Sequence, residues 1–271
     1  MWSFLNDEYL SAQNAKISVA DLSVQRGYGV FDFFRTHDGC PLFIEDHLAR
    51  LEQSASILRL PLTYKRDQLK EIVMKLIRKN DFNSSGIRIT ITGGVSFDSY
   101  SISDPALIIT EQKLEMPKVM HAGLKLITYE HQRELPAVKS INYLTGIWLQ
   151  ESIQRSGADD VLYTSNGFAL ELPRSNYFIV TQDGCLVTPA SNMLEGVTRK
   201  RILKIASGLM PVECRPVSVD EILKASEMFI SSTTKRVSPI LEINGKKIGN
   251  GKAGPITNGL FHALLTEESS N

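Results

Sequence analysis

Four short stretches in the second half of the chain hold residue types that can do chemistry together: Lys139 in VKSINYL, Glu171 in LELPRSN, LEGVTR at 194–199 and SSTT at 231–234. A lysine whose amine is partly desolvated can attack a carbonyl carbon. Glu171 closes a short apolar run, 168–170, so its carboxylate is expected to be semi-buried and in need of a positive partner such as a protonated ring nitrogen. Gly196 lets the chain turn tightly into a helix beginning at Val197 and Thr198, whose unbonded N–H groups and positive dipole end suit a phosphate. The hydroxyl row at 231–234 leaves the end of an apolar strand and forms a second anion cradle. An amine, a carboxylate and two anion-binding chain ends are the parts needed to hold a phosphorylated pyridine aldehyde, which points to pyridoxal 5'-phosphate chemistry.

Each motif also has an ordinary reading when taken alone. Most lysines are solvated charges, Glu171 can form a salt bridge with Arg174, Gly196–Thr198 can be a threonine-capped helix, and SSTT can be a polar turn. Neither anion cradle matches a nucleotide P-loop, because no GxxxxGK[ST] occurs. The glycines at 249–254 read as a turn before the last helix, and those at 27–29 as a lone GxG.

The elements that must position these residues fall into two groups. Strands are expected at 30–35, 87–92 and 106–110, and helices at 44–58 and 66–79, the latter with Leu69, Ile72, Val73, Leu76 and Ile77 on one face. The polar stretch 111–122, with Pro117, reads as a linker. Beyond it the pattern restarts, with a strand at 124–129, a helix at 143–156, short strands at 160–163, 168–171, 177–181 and 185–187, helices at 198–207 and 219–225, and a strand at 227–231.

Composition narrows the class. The 271 residues are 42% apolar and 22% charged, as in ordinary globular proteins, and 30 basic residues balance 30 acidic ones. No net field draws the chain to nucleic acid or to an anionic membrane, and neither partner is expected. Cys40, Cys185 and Cys214 are odd in number and form no CxxC pair, which argues against a disulfide framework and a zinc site; no metal is expected. The N-terminus MWSFLNDEYL lacks a basic flank and a long apolar stretch, and no segment offers 18 uninterrupted apolar residues, so a cytoplasmic protein is expected.

In conjunction the four motifs resemble the class IV, or fold type IV, pyridoxal-phosphate enzymes: branched-chain aminotransferases, D-amino-acid aminotransferases and aminodeoxychorismate lyases. The resemblance covers nearly the whole chain and includes RGYGVFDFFRT at 26–36 and HLARLEQSA at 47–55. It implies an α/β architecture of two domains, a small N-terminal α/β domain over residues 1–115 and a larger C-terminal α/β domain over 116–271. Pyridoxal 5'-phosphate would lie between them, and the working form would be a homodimer. By the same resemblance Lys139 is the Schiff-base lysine that carries the proton of a 1,3-shift, and Glu171 is the carboxylate at the pyridine nitrogen. Arg50, Val197, Thr198 and Thr233 are phosphate contacts, Leu194 packs on the ring, and Tyr143 is aimed at the phenolic oxygen. Thr234 lends a backbone N–H to the substrate carboxylate, and Phe31 belongs to the substrate side.

Departures from the family pattern bear on substrate. Leu172, Pro173 and Arg174 replace a run of small residues after the glutamate. The arginine and histidine that trap a carboxylate in typical D-amino-acid aminotransferases correspond to Asp98 and Tyr100 here. Arg26 and Arg88 can form a clamp instead; Arg88 alternates with Ile87 and Ile89 and so faces away from the core, and Arg35 is a weaker candidate of the same kind. The resulting expectation is a transaminase acting on a small amino acid and a 2-oxo acid, with D-amino acids preferred. The alternatives are a branched-chain L-aminotransferase, a lyase releasing pyruvate from aminodeoxychorismate, against which Phe33 argues, and a silent homologue that binds without turnover.

Overall fold

The computed structural model describes residues 1–270, and the chain divides into two compact units. The first comprises Met1–Met116 together with Val138–Asn142. Its elements are β1 (Trp2–Leu5), β2 (Glu8–Ser11), α1 (Leu22–Arg26), β3 (Gly29–His37), β4 (Cys40–Pro41), α2 (Ile44–Ile57), α3 (Arg66–Asn80), β5 (Ser85–Thr92) and β6 (Leu107–Lys113). The strands form one antiparallel sheet in the order β2-β1-β6-β5-β3-β4. Alternation along β3 sorts its side chains: Val30, Asp32 and Phe34 are fully buried on one face, and Phe31, Phe33 and Arg35 take the other. Leu48, Leu51 and Ala55 of α2 and Leu69, Val73 and Leu76 of α3 bury their apolar stripes against Phe34, Ile87, Ile89 and Ile109 in one core.

The second unit comprises Pro117–Ala137 and Tyr143–Asn271. It contains β7 (Leu124–Glu130), α4 (Leu144–Trp148), α5 (Gln150–Ser156), β8 (Asp160–Ser165), β9 (Phe168–Ala169), β10 (Asn176–Val180), β11 (Leu186–Thr188), α6 (Val197–Ala206), β12 (Val212–Cys214), β13 (Val217–Ser218), α7 (Val219–Ile222), β14 (Glu227–Ser232), β15 (Arg236–Ile243), β16 (Lys246–Lys247) and α8 (Pro255–Ser269). One mixed sheet runs β12-β11-β10-β14-β15-β7-β8-β9-β13, with β16 pairing β15. All five residues of β10 are buried because both faces are covered. Tyr177 and Ile179 join one core cluster, while Phe178 and Val180 join another beneath α6 and α8. Phe178 stacks on its cross-strand partner Phe229 with ring centroids 5.0 Å apart.

Three local expectations are corrected. The helix expected over 143–156 is divided into two at Leu149, which keeps right-handed φ/ψ of −74° and −9°, accepts from Ile153 N–H and donates to the Thr145 carbonyl. The stretch expected to be a linker from residue 111 is still strand as far as Lys113. Val138–Asn142, which holds Lys139 and lies beyond that linker in sequence, is gathered with the first unit. Among the described residues no helix is long and apolar enough to cross a membrane.

Candidate active site

In the first unit the backbone around Lys139 is fixed before its amine is considered. The segment lies antiparallel along the start of β3, on the edge that β5 leaves open: Phe31 N–H donates to the Lys139 carbonyl at 3.0 Å and Ile141 N–H to the Gly29 carbonyl at 3.0 Å. Lys139 N–H donates to the buried Ser54 hydroxyl at 3.1 Å, and Val138 is sealed in the core. This approach needs Gly29, since a Cβ there would stand 2.8 Å from the Ile91 carbonyl oxygen and 3.1 Å from Ile141 Cδ1. The lysine Nζ then lies 4.6 Å from the centroid of the buried Phe31 ring. An aromatic face attracts an ammonium by about 0.5–2 kcal/mol, so Phe31 fixes where the amine rests.

The same ring carries a second cation. Arg88 leaves β5 on the exposed face and stacks its guanidinium 4.2 Å from the Phe31 centroid, beside its directly paired neighbour Phe33. Lys139 and Arg88, distant in sequence, therefore meet on one aromatic platform. Arg26 is held differently: it is exposed in the last turn of α1 and donates to the Gln25 carbonyl at 3.0 Å. Asp98 spends its carboxylate on its own loop, accepting from the Tyr100 and Ser101 N–H groups and from the Ser96 and Ser101 hydroxyls at 2.6–2.9 Å. Those hydrogen bonds, led by the Ser101 hydroxyl, hold it well below the usual carboxylate range, and a fixed anion there cannot trap a carboxylate.

Behind the platform, on the opposite face of β3, sits a buried ionic cluster that the motif reading missed. Asp32 Oδ1 accepts from His47 Nδ1 at 2.7 Å and from Arg50 Nη2 at 2.8 Å, and its Oδ2 accepts from Arg50 Nε at 2.8 Å. His47 and Arg50 are three residues apart on α2 and so reach the strand together. Burial works to raise the Asp32 pKa, but the charges of Arg50 and His47 and their hydrogen bonds carry it well below the ordinary range. Burial depresses the His47 pKa despite the pull of Asp32, and a carboxylate that only accepts leaves the imidazole hydrogen on Nδ1. The signal was present in the sequence: an acid among Val30 and Phe34 on the core face of a strand must be paired, and HxxR on the packing helix supplies the pair.

In the second unit Glu171 is anchored through its main chain, with its carbonyl accepting from Tyr163 N–H at 2.9 Å. Its buried carboxylate is shared between two donors, Arg133 Nε to Oε1 at 2.7 Å and Leu194 N–H to Oε2 at 3.0 Å. The salt bridge therefore goes to Arg133, which nothing in HQREL singles out, and not to Arg174, which is exposed. Arg174 sits with Pro173 at the tip of a turn closed by Leu172 and Ser175, so the LPR departure is absorbed as a reverse turn with proline in its usual second place. Tyr163 lies near this carboxylate; burial, with the charges of Asp160 and Glu171, pushes its phenol up to about 12. Tyr143 is half-buried at the start of α4.

Glu171 is tied to the anion-binding helix through Leu194, whose carbonyl accepts from Asn176 Nδ2 at 2.7 Å. Asn176 Oδ1 fills the space a Cβ on Gly196 would take, so glycine is required by crowding and not by its ordinary φ of −68°. As the N-cap of α6, Gly196 offers no side-chain acceptor, and the N–H groups of Val197 and Thr198 open the helix uncapped. Asn176 also faces Ser231 across the β10–β14 register, which brings the SSTT exit beside the same corner. There Ser231 Oγ is buried without a hydrogen-bond partner, Ser232 Oγ accepts from Lys235 N–H at 3.1 Å, Thr233 is half-buried and Thr234 exposed. The structure thus groups Phe31, Arg50, Arg88 and Lys139 within the first unit, and Glu171, Leu194, Val197, Thr198 and the 231–234 row within the second.

Known proteins are similar to this chain in sequence and fold. A family model described as amino-transferase class IV matches residues 29–243. A putative branched-chain-amino-acid aminotransferase of Methanocaldococcus jannaschii is 31% identical over 268 residues, which cover 94% of this chain and 92% of that one. A D-alanine aminotransferase of Staphylococcus haemolyticus is 29% identical over 279 residues, covering 98% of this chain and 99% of its own. Among solved structures, the Escherichia coli branched-chain amino acid aminotransferase superposes with a TM-score of 0.89 at 27% identity, covering 98% of this chain and 93% of that one.

Proposed function

Because the chain belongs to the class IV aminotransferases and has their fold type IV architecture, we propose that it moves an amino group from a D-amino acid to a 2-oxo acid such as 2-oxoglutarate by ping-pong half-reactions. The observation that carries this reading is the Phe31 platform, which sets a guanidinium beside a lysine whose N–H and carbonyl are both hydrogen-bonded. A small amino acid brings a carboxylate for Arg88 and an α-carbon proton for Lys139. Arg26 completes the carboxylate clamp, and Thr234 lends its backbone N–H.

The family uses pyridoxal 5'-phosphate, and the donors of this chain suit it. Arg50, the N–H groups of Val197 and Thr198, and Thr233 would hold the phosphate, and the buried Ser231 hydroxyl, which has no partner in its own fold, marks the same corner as polar. Leu194 would pack on the ring and Tyr143 would face its phenolic oxygen. When bound, the cofactor supplies an electron sink for charge developing at the substrate α-carbon. Glu171 would hold a proton on the pyridine nitrogen, a task suited to a carboxylate fixed by Arg133 and by a backbone N–H. Lys139 Nζ would carry the α-proton of the substrate in the transfer, and the Phe31 face gives that nitrogen a resting place 4.6 Å from the ring centroid.

The hand of the substrate is tested by following the visible absorbance of the cofactor-loaded protein with one amino acid at a time and no oxo acid. D-Glutamate or D-alanine is expected to bleach it while L-glutamate and L-leucine leave it unchanged. The reverse pattern would support a branched-chain enzyme, a reading favoured by the Methanocaldococcus relative. Absorbance unmoved by all four would redirect the search to lyase activity on aminodeoxychorismate.

The working form is proposed to be a homodimer in the cytoplasm. Leu144, Ile147 and Trp148 expose large apolar side chains on α4, a surface of the kind that association covers. Light scattering on the purified protein is expected to give twice the chain mass of 30.2 kDa, and a monomer mass would rule the dimer out.

A further inference from the structure

We propose that Asp32 is a positioning residue for phosphate recognition: it fixes the plane and direction of the Arg50 guanidinium, with His47 as a buried brace, so that the arginine meets the phosphate in one orientation. This rests on the reading of Arg50 as a phosphate ligand given above.

The geometry is specific. Asp32 takes the Nε–Nη2 edge of Arg50 through both of its oxygens at 2.8 Å, the two-point contact that sets the plane of a guanidinium as well as its distance. The carboxylate is itself immobile: it is fully buried, accepts from its neighbour Phe33 N–H at 2.7 Å, and takes a third side-chain hydrogen bond from His47 Nδ1. His47 is packed in turn against Phe34, with ring centroids 5.5 Å apart. Three side chains from a strand and a helix thereby over-determine one arginine whose side chain is only 10% exposed. A surface salt bridge would need none of this. Stability alone is also a poor explanation, because a buried ion pair contributes little compared with apolar residues of similar size. Holding a ligand-binding group in place is what such a network supplies.

The test titrates the full chain with pyridoxal 5'-phosphate and with pyridoxal, which lacks the phosphate. Arg50→Met is expected to weaken the phosphorylated ligand selectively. Asp32→Asn is expected to weaken it on the order of tenfold, as loss of an orienting partner does elsewhere, and to leave pyridoxal affinity within about twofold. In an Arg50→Met background, Asp32→Asn is expected to have no further effect on phosphate preference, because the residue acts through the arginine. If Asp32→Asn weakens both ligands alike, weakens neither, or keeps its full effect without Arg50, the positioning role is wrong. If Arg50→Met itself leaves phosphate preference intact, the phosphate role of Arg50 falls first and takes this inference with it. Arg50→Lys gives an answer even if Asp32→Asn does not fold: it keeps the charge but loses the fork, and is expected to lose the preference nearly as far as Arg50→Met. Full retention by lysine would overturn the proposal.

Discussion

Replacing Lys139 with alanine is expected to lower turnover by about four orders of magnitude or more while leaving the fold intact. The two halves of that expectation come from different atoms. Among the described residues the side chain contributes the only amine resting on the Phe31 ring, and a hydroxyl or carboxylate cannot replace it as both nucleophile and proton carrier. The main chain contributes the structure: the Lys139 carbonyl accepts from Phe31, its N–H donates to Ser54, and Ile141 donates to Gly29, and alanine keeps all three hydrogen bonds. Circular dichroism and thermal unfolding are therefore expected to match the parent while the steady-state rate is lost. Turnover that survives the substitution would move the chemistry to another residue.

How much of this was legible in the sequence depended on whether a residue's role was local. The helices α2 and α3 and the strands β3 and β5 announce themselves through apolar periodicity, and Arg88 was readable as outward-facing because its neighbours alternate inward. The hidden elements have physical reasons for hiding. β15 lies centrally between β14 and β7 yet contains Pro239, which argues against an interior strand; the proline is tolerated because the pairing with β7 begins only at Ile240, one residue beyond it. β1 and β2 are four residues each, joined through Asn6 and Asp7 with Asn6 at φ 50°, too short for alternation to register. Lys139, Glu171 and the Gly196 helix could be named because each sits in a recognisable run. Arg133 and Asn176 could not, since their importance comes from Glu171 and Leu194, which are distant in sequence and adjacent only after folding. That Lys139 sits with the first unit is likewise a matter of β3 offering a free edge, which no local pattern reports.

Substituting glutamine for Glu171 is the second large expected effect, and it separates a catalytic carboxylate from a structural one. Glutamine preserves the shape and can still accept from the Leu194 N–H, so the 194–199 corner should stay in place. What it removes is the charge and the second acceptor oxygen, since an amide turned to accept from Leu194 sets its NH2 against the Arg133 donor. Arg133, whose Nε donates to Oε1 at 2.7 Å and whose Nη2 donates to the Pro136 carbonyl at 2.5 Å, would then be left without its counter-ion in a mostly buried setting. Breaking such a pair costs about 3–5 kcal/mol when burial is complete and less when, as here, part of the arginine is open to solvent. If Glu171 served only as that counter-ion, Glu171→Gln would lower the unfolding temperature and leave kcat of the surviving folded fraction near the parent value. If it also holds the proton on the ring nitrogen, a fixed charge aimed at the reacting system is lost, and such losses typically cost about 10²–10³-fold in kcat. Measuring unfolding and kcat on the same preparation distinguishes the two. We expect the rate loss to dominate, because a carboxylate needed only to neutralise Arg133 would not require a second donor from the Leu194 backbone to fix the direction of its other oxygen.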